Sequence, residues 1–425
     1  MQEFLKPPKG MRDFLPEDAR KKFYIQNICK EVFESYGYQP LQTPIVENFE
    51  LLAKKSQAGE AIKEEIYYFE DKAKRPLALR FDLTVPLVRV VAANPQLAKP
   101  FKRYQISRVF RYDRPQASRY REFTQADADI IGVKNIFAEL ELFMLSIDIM
   151  KRLPIKEFKI KINDREMLEK VALAFEIPES KILEFFRVID KADKIGWEEV
   201  KNELTKLNIN SEVIDFLQNA TLEKVEELLK SKGLSSEGLE RLKKIKDYAK
   251  VLKIAEFLEF DLCLARGLDY YTGTVFEIKC ENAQWSAAAG GRFDRLIGSI
   301  SKQDVAAVGI SFGIDRIFDI LKDRLKLKNE AELFIIAVGD EKIRLEAFKI
   351  ADKMRKAGIG CEFCLAERGI SKNLDYANKR GFKFVIIIGE NELKEKKIKV
   401  KDMISGKEKE VGLENLAELK ELLKV

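Results

Sequence analysis

The spacing of apolar and polar residues predicts a long amphipathic helix near the start of the chain, over residues 17–36. Its apolar positions recur every three or four residues, and Gly37 follows its end. Period-two alternation bounded by turn residues then predicts a series of strands, with two more helices among them. The predicted strands are 38–45, 65–71, 75–81, 102–111, 122–131 and 158–162, and the predicted helices are 83–93 and 138–153. Pro40 and Pro44 place the first of these strands at a sheet edge or an interface.

The pattern changes between residue 165 and about residue 250, where it is almost continuously helical, rich in Lys and Glu, and poor in glycine and aromatic residues. This change predicts a helical domain inserted into the first domain. Strand-like alternation returns afterwards, and a helix is predicted from Ile314. The segments after the insertion are 260–265, 274–280, the glycine-marked 287–296 and 305–313.

Beyond a Lys-rich linker at 321–329, short apolar runs alternate with helical patterns. The expected strands are 333–338, 360–365 and 384–388, the expected helices are 342–357 and 371–381, and a polar hairpin at 392–410 precedes a last helix. Such alternation predicts a small α/β domain with a mostly parallel sheet.

Composition limits the class of protein. A chain of 425 residues with 46% hydrophobic and 34% charged residues is too long for one core and should form two to four globular domains. The formal net charge of +6 suits nucleic-acid binding, but it equally suits an ordinary solvated surface. No stretch approaches the ~18 apolar residues of a membrane span, and the N-terminus has no apolar signal core. We therefore expect a cytoplasmic protein.

The chain contains no histidine, which excludes Ser-His-Asp triads, Cys-His pairs and histidine-based zinc sites. Any chemistry must depend on carboxylates, tyrosines, arginines and bound ions. The five cysteines are scattered, as is typical of a reducing compartment. Cys361 and Cys364 form a C-x-x-C without a second pair, so we interpret them as packing or surface thiols.

An arginine cluster lies at the end of the predicted 102–111 strand and in the loop that follows: Arg108, Arg111, Arg114, Arg119 and Arg121. If 102–111 pairs antiparallel with 122–131, Arg111 and Arg121 lie near one another on a shared face. A phosphate bound there would gain bidentate contacts, and Phe123 could stack on a base. The alternative is a basic surface hairpin.

Polar residues also alternate along the second strand of this pair, at Gln125, Asp127 and Asp129. Carboxylates on a strand face that would normally be apolar suit a cationic or polar ligand. Asp82 and Thr84 could join the same pocket, or could serve only as capping or solvated residues.

Three glycine-plus-arginine elements follow: the segment RGLDYYTG at 266–273, Gly290-Gly291-Arg292, and Gly309 and Gly313 with Arg316. Glycine lets the backbone approach a ligand closely, and arginine supplies a fixed charge. Their spacing does not match the dinucleotide-binding fingerprint.

Taken in order, these segments resemble the histidyl-tRNA synthetase family, which belongs to the class II aminoacyl-tRNA synthetases. Residues 36–47, 109–132 and 306–318 resemble the three motifs of the class, and LARGLDYYTGTVFE at 264–277 and AAGGRFDRLI at 288–297 resemble segments peculiar to the histidine family. The run Asp82-Leu83-Thr84 is similar to the archaeal and eukaryotic pattern. Asp113, where many class II chains have Glu, is a departure of the same kind.

The resemblance implies an α+β catalytic domain with an antiparallel sheet flanked by helices, formed by residues 1–164 and 251–325. It implies that the helical insertion, 165–250, clamps the tRNA acceptor arm. It also implies that residues 330–425 form an α/β anticodon-binding domain, a likeness carried by GISKNLDYANKRGFKFVIIIGENE at 369–392.

The resemblance further implies the site residues. Arg111 and Arg266 are the expected catalytic residues: Arg111 would hold the α-phosphate of ATP and the substrate carboxylate, and Arg266 would take the place of a metal ion beside that phosphate. The expected histidine-binding residues are Asp82, Leu83, Thr84, Arg111, Gln125, Asp129, Arg266, Tyr270 and Tyr271. The expected ATP-binding residues are Arg111, Asp113, Arg119, Arg121, Phe123 and Arg316, with the adenine between Phe123 and Arg316.

The implied activity is the ligation of L-histidine to histidine tRNA through histidyl-adenylate. ATP would be a substrate, accompanied by Mg²⁺ and without a tightly bound metal, and the protein would be a homodimer that does not act at a membrane. The alternative is a synthetase-like regulatory subunit of ATP phosphoribosyltransferase. That paralogue typically lacks the C-terminal domain and erodes the Arg266 segment, both of which are intact here. A scaffold protein without activity would show broken motif arginines, and these are intact too.

Overall fold

The computed structural model describes residues 3–55, 64–114, 118–265, 271–281, 283, 285–301, 304–327 and 331–423. The chain forms two compact units, Met1–Leu325 and Lys326–Val425. Among the described residues, no helix is both long enough and apolar enough to cross a membrane.

In the first unit the helices are α1 Pro16–Ser35, α2 Phe49–Lys55, α3 Thr84–Ala93, α4 Phe137–Arg152, α5 Arg165–Ala174, α6 Ile182–Ile189, α7 Ala192–Ile195, α8 Trp197–Lys206, α9 Glu212–Asn219, α10 Leu222–Ser231, α11 Glu237–Val251, α12 Asp294–Ser301 and α13 Ile314–Leu321. The strands are β1 Gln39–Pro40, β2 Val46–Asn48, β3 Tyr68–Glu70, β4 Pro76–Leu79, β5 Phe101–Phe110, β6 Glu122–Ile131, β7 Phe158–Asp164, β8 Leu258–Phe260, β9 Thr274–Cys280, β10 Ser286–Arg292 and β11 Ala307–Gly313.

The large sheet of this unit has eight described strands in the order β1-β5-β6-β11-β10-β9-β7-β8. Its central neighbours are antiparallel, and the outermost pairs, β1 with β5 and β7 with β8, are parallel. The prediction of an antiparallel sheet flanked by helices is confirmed, with parallel strands added at both edges. A separate sheet contains β2, β4 and β3.

Two predicted strands are wrong in their extent. The 38–45 segment pairs with β5 only at Gln39–Pro40, because Pro40 and Pro44 have no N–H to continue a ladder. The 260–265 segment leaves the sheet after Phe260. There Asp261 forms a turn: its Oδ1 accepts from Cys263 N at 3.1 Å and its carbonyl accepts from Leu264 N at 3.0 Å.

One face of the large sheet, called here the back face, is apolar and packs against helices. Phe33 of α1 contacts Tyr104 of β5 and Phe312 of β11, with ring centroids 5.5 and 6.1 Å apart. Phe143 of α4 meets Phe276 of β9 edge to face at 5.0 Å. These contacts bury apolar side chains of β5, β11 and β9 on the back face.

The opposite face, called here the front face, carries the polar half. The register places Arg103, Gln105 and Ser107 of β5 directly opposite Asp129, Asp127 and Gln125 of β6. On the next strand, β11, the residues in line with these three are Gly309, Ser311 and Gly313. The front face is therefore polar on β5 and β6 and small on β11, where a ligand can approach the backbone.

Between Arg165 and Val251 the described residues form helices and turns. Asp164 caps the first of these helices by accepting from Glu166 N at 3.0 Å, and it pairs with Arg241 of α11. The boundaries of an inserted domain at 165 and 250 stay a prediction.

The second unit contains the helices α14 Glu341–Lys356, α15 Ile370–Lys379, α16 Glu390–Glu395 and α17 Leu416–Leu423, and the strands β12 Leu333–Ala337, β13 Cys361–Phe363, β14 Phe384–Ile388, β15 Lys397–Asp402 and β16 Glu408–Gly412. Its sheet has the order β13-β12-β14-β15-β16, with the first three strands parallel and the last two antiparallel. The α/β prediction for this segment is confirmed, whereas the mostly parallel sheet is correct only for β13, β12 and β14, because the pairings of β14 with β15 and of β15 with β16 are antiparallel.

Candidate active site

The start of α3 lies against one end of the front face. Asp82 Oδ1 accepts from Val85 N at 3.0 Å, which caps the first turn of the helix. Leu83 is buried, and its carbonyl oxygen accepts from Arg103 Nη2 at 3.1 Å. The same Nη2 lies 2.8 Å from Asp129 Oδ2. Arg103 therefore joins the Asp82-Leu83-Thr84 run to β6.

Three buried acceptor oxygens on β6 have no hydrogen-bond partner: Gln125 Oε1, Asp127 Oδ1 and Asp129 Oδ2. The contact from Arg103 to Asp129 supplies charge but is not aligned as a hydrogen bond, and Arg103 Nε and Nη1 are also unpartnered. An unpaired buried polar atom costs about 1–3 kcal/mol. This end of the front face is thus suited to a ligand rich in hydrogen-bond donors.

Burial raises the pKa of both Asp127 and Asp129 above the ordinary aspartate value, and the Arg103 guanidinium opposes the rise. Asp82 is a further carboxylate whose charge raises both values. The cluster has more acids than buried cations at this point, so a positively charged ligand would relieve it.

Glycines on β10 and β11 leave room for the side chains of Tyr271 and Asp129 on the front face. A Cβ on Gly309 would overlap the Asp129 carboxylate, and a Cβ on Gly291 would lie 2.7 Å from Cδ1 of Tyr271. Tyr271 is buried and packs in one cluster with Leu87, Val88 and Phe293. Tyr271, Gly291, Gly309 and Asp129 therefore follow one another across the front face.

The other end of the front face carries arginines. Arg111 Nε donates to the carbonyl of Phe81 at 3.1 Å, and its guanidinium lies 5.2 Å from the centre of the Phe123 ring. Arg111 N also donates to the carbonyl of Arg121 at 2.9 Å, which agrees with the predicted closeness of these two arginines.

The loop arginines are fixed by Asp113. Arg119 Nη2 lies 2.7 Å from Asp113 Oδ2, and Arg121 Nε donates to the Asp113 carbonyl at 3.0 Å. Arg121 also lies over the Tyr112 ring at 4.0 Å. In this arrangement Asp113 orients the arginines.

Arg316, near the start of α13, donates from Nη1 to the carbonyl of Ser286 at 3.2 Å. Its Cδ lies 3.3 Å from where a Cβ on Gly313 would sit, and Gly313 is paired with Gln125. Arg316 and Phe123 therefore belong to the same end of the sheet. The run from Phe123 to Asp129 along β6 spans roughly 20 Å at about 3.4 Å per residue.

Of the expected histidine-binding residues, the structure brings the Asp82-Leu83-Thr84 run, Asp129 and Tyr271 to one end of the front face. Arg111, which is expected in both sets, lies at the other end with the expected ATP-binding residues, and Gln125 lies between the two ends. Arg266 and Tyr270 lie outside the described residues. Arg292, singled out by its glycine neighbours, is used internally: its Nε and Nη2 each donate to Glu139 at 2.7 Å in a buried pair.

A family model described as histidyl-tRNA synthetase matches residues 10–317, and one described as anticodon binding domain matches residues 332–421. The chain belongs to the histidyl-tRNA synthetase family. The family assignment and the predicted fold class are confirmed, and the sheet of the second unit is that of the anticodon-binding domain.

The following relatives and solved structures match most or nearly all of the chain. A histidine–tRNA ligase of Methanocaldococcus jannaschii is 40% identical over 423 residues, covering 96% of this chain and 98% of that protein. The histidyl-tRNA synthetase crystal structure from Nostoc sp. PCC 7120 is 29% identical, with a TM-score of 0.84 and coverage of 98% and 99%. A structure titled ATP phosphoribosyltransferase regulatory subunit/histidyl-tRNA synthetase, from Bacillus halodurans C, is 23% identical, with a TM-score of 0.74 and coverage of 90% and 98%. It shows the fold alone, so the regulatory-subunit alternative is the less supported one.

Arg103, which is fully buried, was not among the residues expected at the site. The signal was available, because the pairing that sets Arg111 beside Arg121 also sets Arg103 opposite Asp129. Arg80 was missed as well: its Nη1 donates to the carbonyl of Thr43 at 2.8 Å and its Nε to the carbonyl of Arg108 at 3.1 Å. Arg80 therefore joins the end of β4 to β5.

Proposed function

We propose that the front face activates histidine with ATP and then transfers it to tRNA. Ligation of histidine to tRNA, with ATP as a substrate, is the activity of the family to which the chain belongs. The observation that carries the proposal is the arrangement of this face: buried, unpaired acceptor oxygens run along β6 from Gln125 to Asp129, and the arginines lie at the Phe123 end of the same strand.

At the acceptor-rich end we place the histidine side chain. Imidazole offers one N–H donor when neutral and two when protonated, and the α-ammonium offers three. Gln125, Asp129 and the hydroxyl of Tyr271 would receive these donors, with Asp82 and Thr84 at the start of α3 on the other side. Tyr270 is assigned to the same pocket by family likeness.

At the arginine-rich end we place ATP. The adenine would stack between Phe123 and Arg316, and Arg111 would hold the α-phosphate and the substrate carboxylate together. Arg119 and Arg121, oriented by Asp113, would face the outer phosphates. Arg266 is proposed as the second catalytic residue, beside the α-phosphate.

We propose that Mg²⁺ arrives with ATP, held mainly by its phosphates. Among the described residues, no group of three or more His, Cys, Asp or Glu side chains converges as a metal site. The ion would neutralise phosphate charge when bound. The arginines orient the α-phosphate and stabilise the charge that develops there.

The first step is an in-line displacement. A carboxylate oxygen of histidine attacks the α-phosphorus, the new P–O bond gives histidyl-adenylate, and the bond to pyrophosphate breaks. The nucleophile is already an anion, so this step needs no general base, and a chain without histidine can catalyse it by positioning and charge stabilisation. In the second step a terminal hydroxyl of tRNA attacks the activated carbonyl and releases AMP.

The same acceptors explain selectivity. An amino acid without ring N–H donors would leave the Gln125 and Asp129 oxygens unpaired in a buried site, at about 1–3 kcal/mol each. This penalty supports selection of histidine at the activation step.

The tRNA is proposed to contact three parts of the chain. Its anticodon would bind residues 330–425, its acceptor arm the helices of 165–250, and its 3′ end the arginine-bearing loop. We also propose a homodimer, because the segment around Pro44 resembles the class II motif that forms the subunit interface, and a cytoplasmic location. Light scattering at micromolar concentration tests the dimer, and an active monomer would exclude it.

The decisive experiment is ATP–pyrophosphate exchange with purified protein, run with histidine and with each other proteinogenic amino acid. We expect exchange with histidine alone. Exchange that does not depend on histidine, or that prefers another amino acid, would overturn the assignment of the β6 acceptors.

A further inference from the structure

The N-terminal segment reaches a charged cluster behind the arginine-rich end of the site. Arg12 donates from Nη1 to Asp319 Oδ1 at 2.9 Å and from Nη2 to Asp315 Oδ1 at 3.1 Å. Asp315 and Asp319 lie one turn apart on α13 and are almost completely buried, with 4% and 10% of their side chains exposed. One planar guanidinium thus bridges both carboxylates, which an ammonium could not do in the same way.

The same guanidinium holds the arginine-bearing loop. Arg12 Nη1 donates to Tyr120 Oη at 2.7 Å, and Arg12 Cζ lies 3.8 Å from the centre of the Tyr120 ring. The Tyr120 hydroxyl donates in turn to Asp319 Oδ2 at 2.9 Å. Burial raises the pKa of Tyr120 to about 12, so the hydroxyl keeps its proton for this bond.

Two further bonds join the loop to the same place. Ser118 Oγ donates to Asp319 Oδ2 at 2.9 Å, and Arg121 N donates to the carbonyl of Gly10 at 2.8 Å. The loop therefore returns to β6 over a surface made by the N-terminal segment and α13. Tyr120 lies between Arg119 and Arg121, so these contacts hold the backbone from which both arginine side chains project.

Asp315 extends the cluster to β6. Its Oδ2 accepts from Thr124 N at 2.7 Å, and Lys22 Nζ lies 3.1 Å from the same oxygen. Thr124 follows Phe123 directly, and Asp315 precedes Arg316 directly. The cluster therefore connects the backbone on both sides of the proposed adenine site.

We propose that Arg12 is a positioning residue for ATP: it sets the spacing between the loop arginines, Phe123 and Arg316 without touching the nucleotide. The proposal rests on the proposed function for the identity of the substrate. Arg12 has no part in the histidine pocket, so its loss should affect ATP and spare histidine.

The test compares Arg12→Met with wild type in ATP–pyrophosphate exchange, varying ATP and histidine separately, well below each variant's unfolding midpoint. Since a displacement of about 1 Å at a reacting centre can cost about a hundredfold in rate, we expect kcat/KM for ATP to fall by about that factor. The KM for histidine should stay within about threefold of wild type. Arg12→Lys keeps the positive charge but lacks the planar guanidinium, so its kcat/KM for ATP should lie between those of wild type and Arg12→Met.

Lys21→Met is the matched control. Lys21 Nζ donates to the carbonyl of Lys322 at 2.8 Å, so it also ties α1 to the end of α13, but among the described residues no hydrogen bond or ion pair links it to the loop. It should leave kcat/KM for ATP near the wild-type value. Equal effects of Arg12→Met and Lys21→Met, or equal losses for ATP and histidine, would show that Arg12 is only structural.

Two further measurements keep the proposal testable. If Arg12→Met does not fold, Tyr120→Phe removes only the hydroxyl shared with Arg12 and Asp319, and should raise the KM for ATP by about two- to tenfold; no change would overturn the proposal. Calorimetric titration with ATP alone, without histidine, should show at least about tenfold weaker binding to Arg12→Met. This titration gives its answer even if histidine-dependent exchange fails, so the two proposals can fail independently.

Discussion

Gly309 lies at the centre of the large sheet, directly opposite Asp129 on β6. A Cβ built on it would project to the front face, 2.7 Å from Asp129 Cγ and closer still to Oδ1. Ordinary carbon contacts begin at about 3.4 Å, so Gly309→Ala must move the Asp129 carboxylate by at least about 0.7 Å. Asp129 cannot turn away freely, because Arg103 holds its Oδ2.

The size of the effect follows from this overlap. Inserting one carbon into a packed site costs about 1–3 kcal/mol. If the displaced group is the one that receives the imidazole, this cost appears in histidine binding, as a KM raised by about five- to 150-fold. The KM for ATP should change little, because Arg111, Phe123 and Arg316 lie at the other end of the front face.

The assay is ATP–pyrophosphate exchange with each substrate varied in turn, and Gly313→Ala is the comparison. Gly313 lies on the same strand and face, but the nearest atom to its Cβ would be Arg316 Cδ at 3.3 Å. We expect Gly309→Ala to affect histidine, and Gly313→Ala to affect ATP if it affects either substrate. A histidine KM within about twofold of wild type, in Gly309→Ala protein that unfolds at the wild-type temperature, would refute the position of Asp129 in the pocket.

Four other predictions test the remaining parts of the site. Asp129→Asn should raise the histidine KM by at least about tenfold, since hydrogen bonds to a charged group contribute about 1.5–3 kcal/mol, and a shift in the KM for ATP instead would assign Asp129 to the nucleotide. Asp127→Asn should flatten the pH dependence of the free energy of unfolding. Burial raises the pKa of Asp127 in the folded state, so the folded protein binds this proton more tightly than the unfolded chain does. The resulting stabilisation is complete below about pH 4 and is lost as the pH rises through the raised pKa. Chemical denaturation across that range measures it, and an unchanged slope would contradict the burial argument. Arg266→Ala should reduce exchange by at least about a hundredfold with histidine binding much less affected, and exchange within about fivefold of wild type would remove it from the reaction. Deleting residues 331–425 should leave exchange and strongly reduce tRNA charging, and equal loss of both would mean that this domain supports the catalytic unit.

Local sequence patterns predicted most of the elements, because a strand or helix that buries one face must repeat its apolar residues with a fixed period. The pair of strands 102–111 and 122–131 lies within a residue of β5 and β6. The prolines of the 38–45 strand correctly predicted its place at a sheet edge, but its length was overestimated, because proline has no N–H to extend the ladder. Propensity along a segment says nothing about which partner is available to pair with it.

Local periodicity could not predict ionic contacts between residues that are far apart in the sequence. Arg12 meets Asp315 and Asp319 across about three hundred positions of sequence, and no local period connects them. The Arg292–Glu139 pair is similarly remote. By contrast, Arg103 could have been found, because antiparallel pairing fixes every partner once one is known.

The run Gly290-Gly291-Arg292 shows why a motif has to be assigned to a strand before its chemistry is assigned. On β10 successive side chains point to opposite faces. A Cβ on Gly290 would meet Phe276 behind the sheet, whereas a Cβ on Gly291 would meet Tyr271 in front of it. Arg292 shares the side of Gly290 and pairs with Glu139 of α4. Only Gly291 faces the proposed histidine site, so a substitution there should disturb substrate binding, while substitutions at its two neighbours should act through the packing of the sheet against α4.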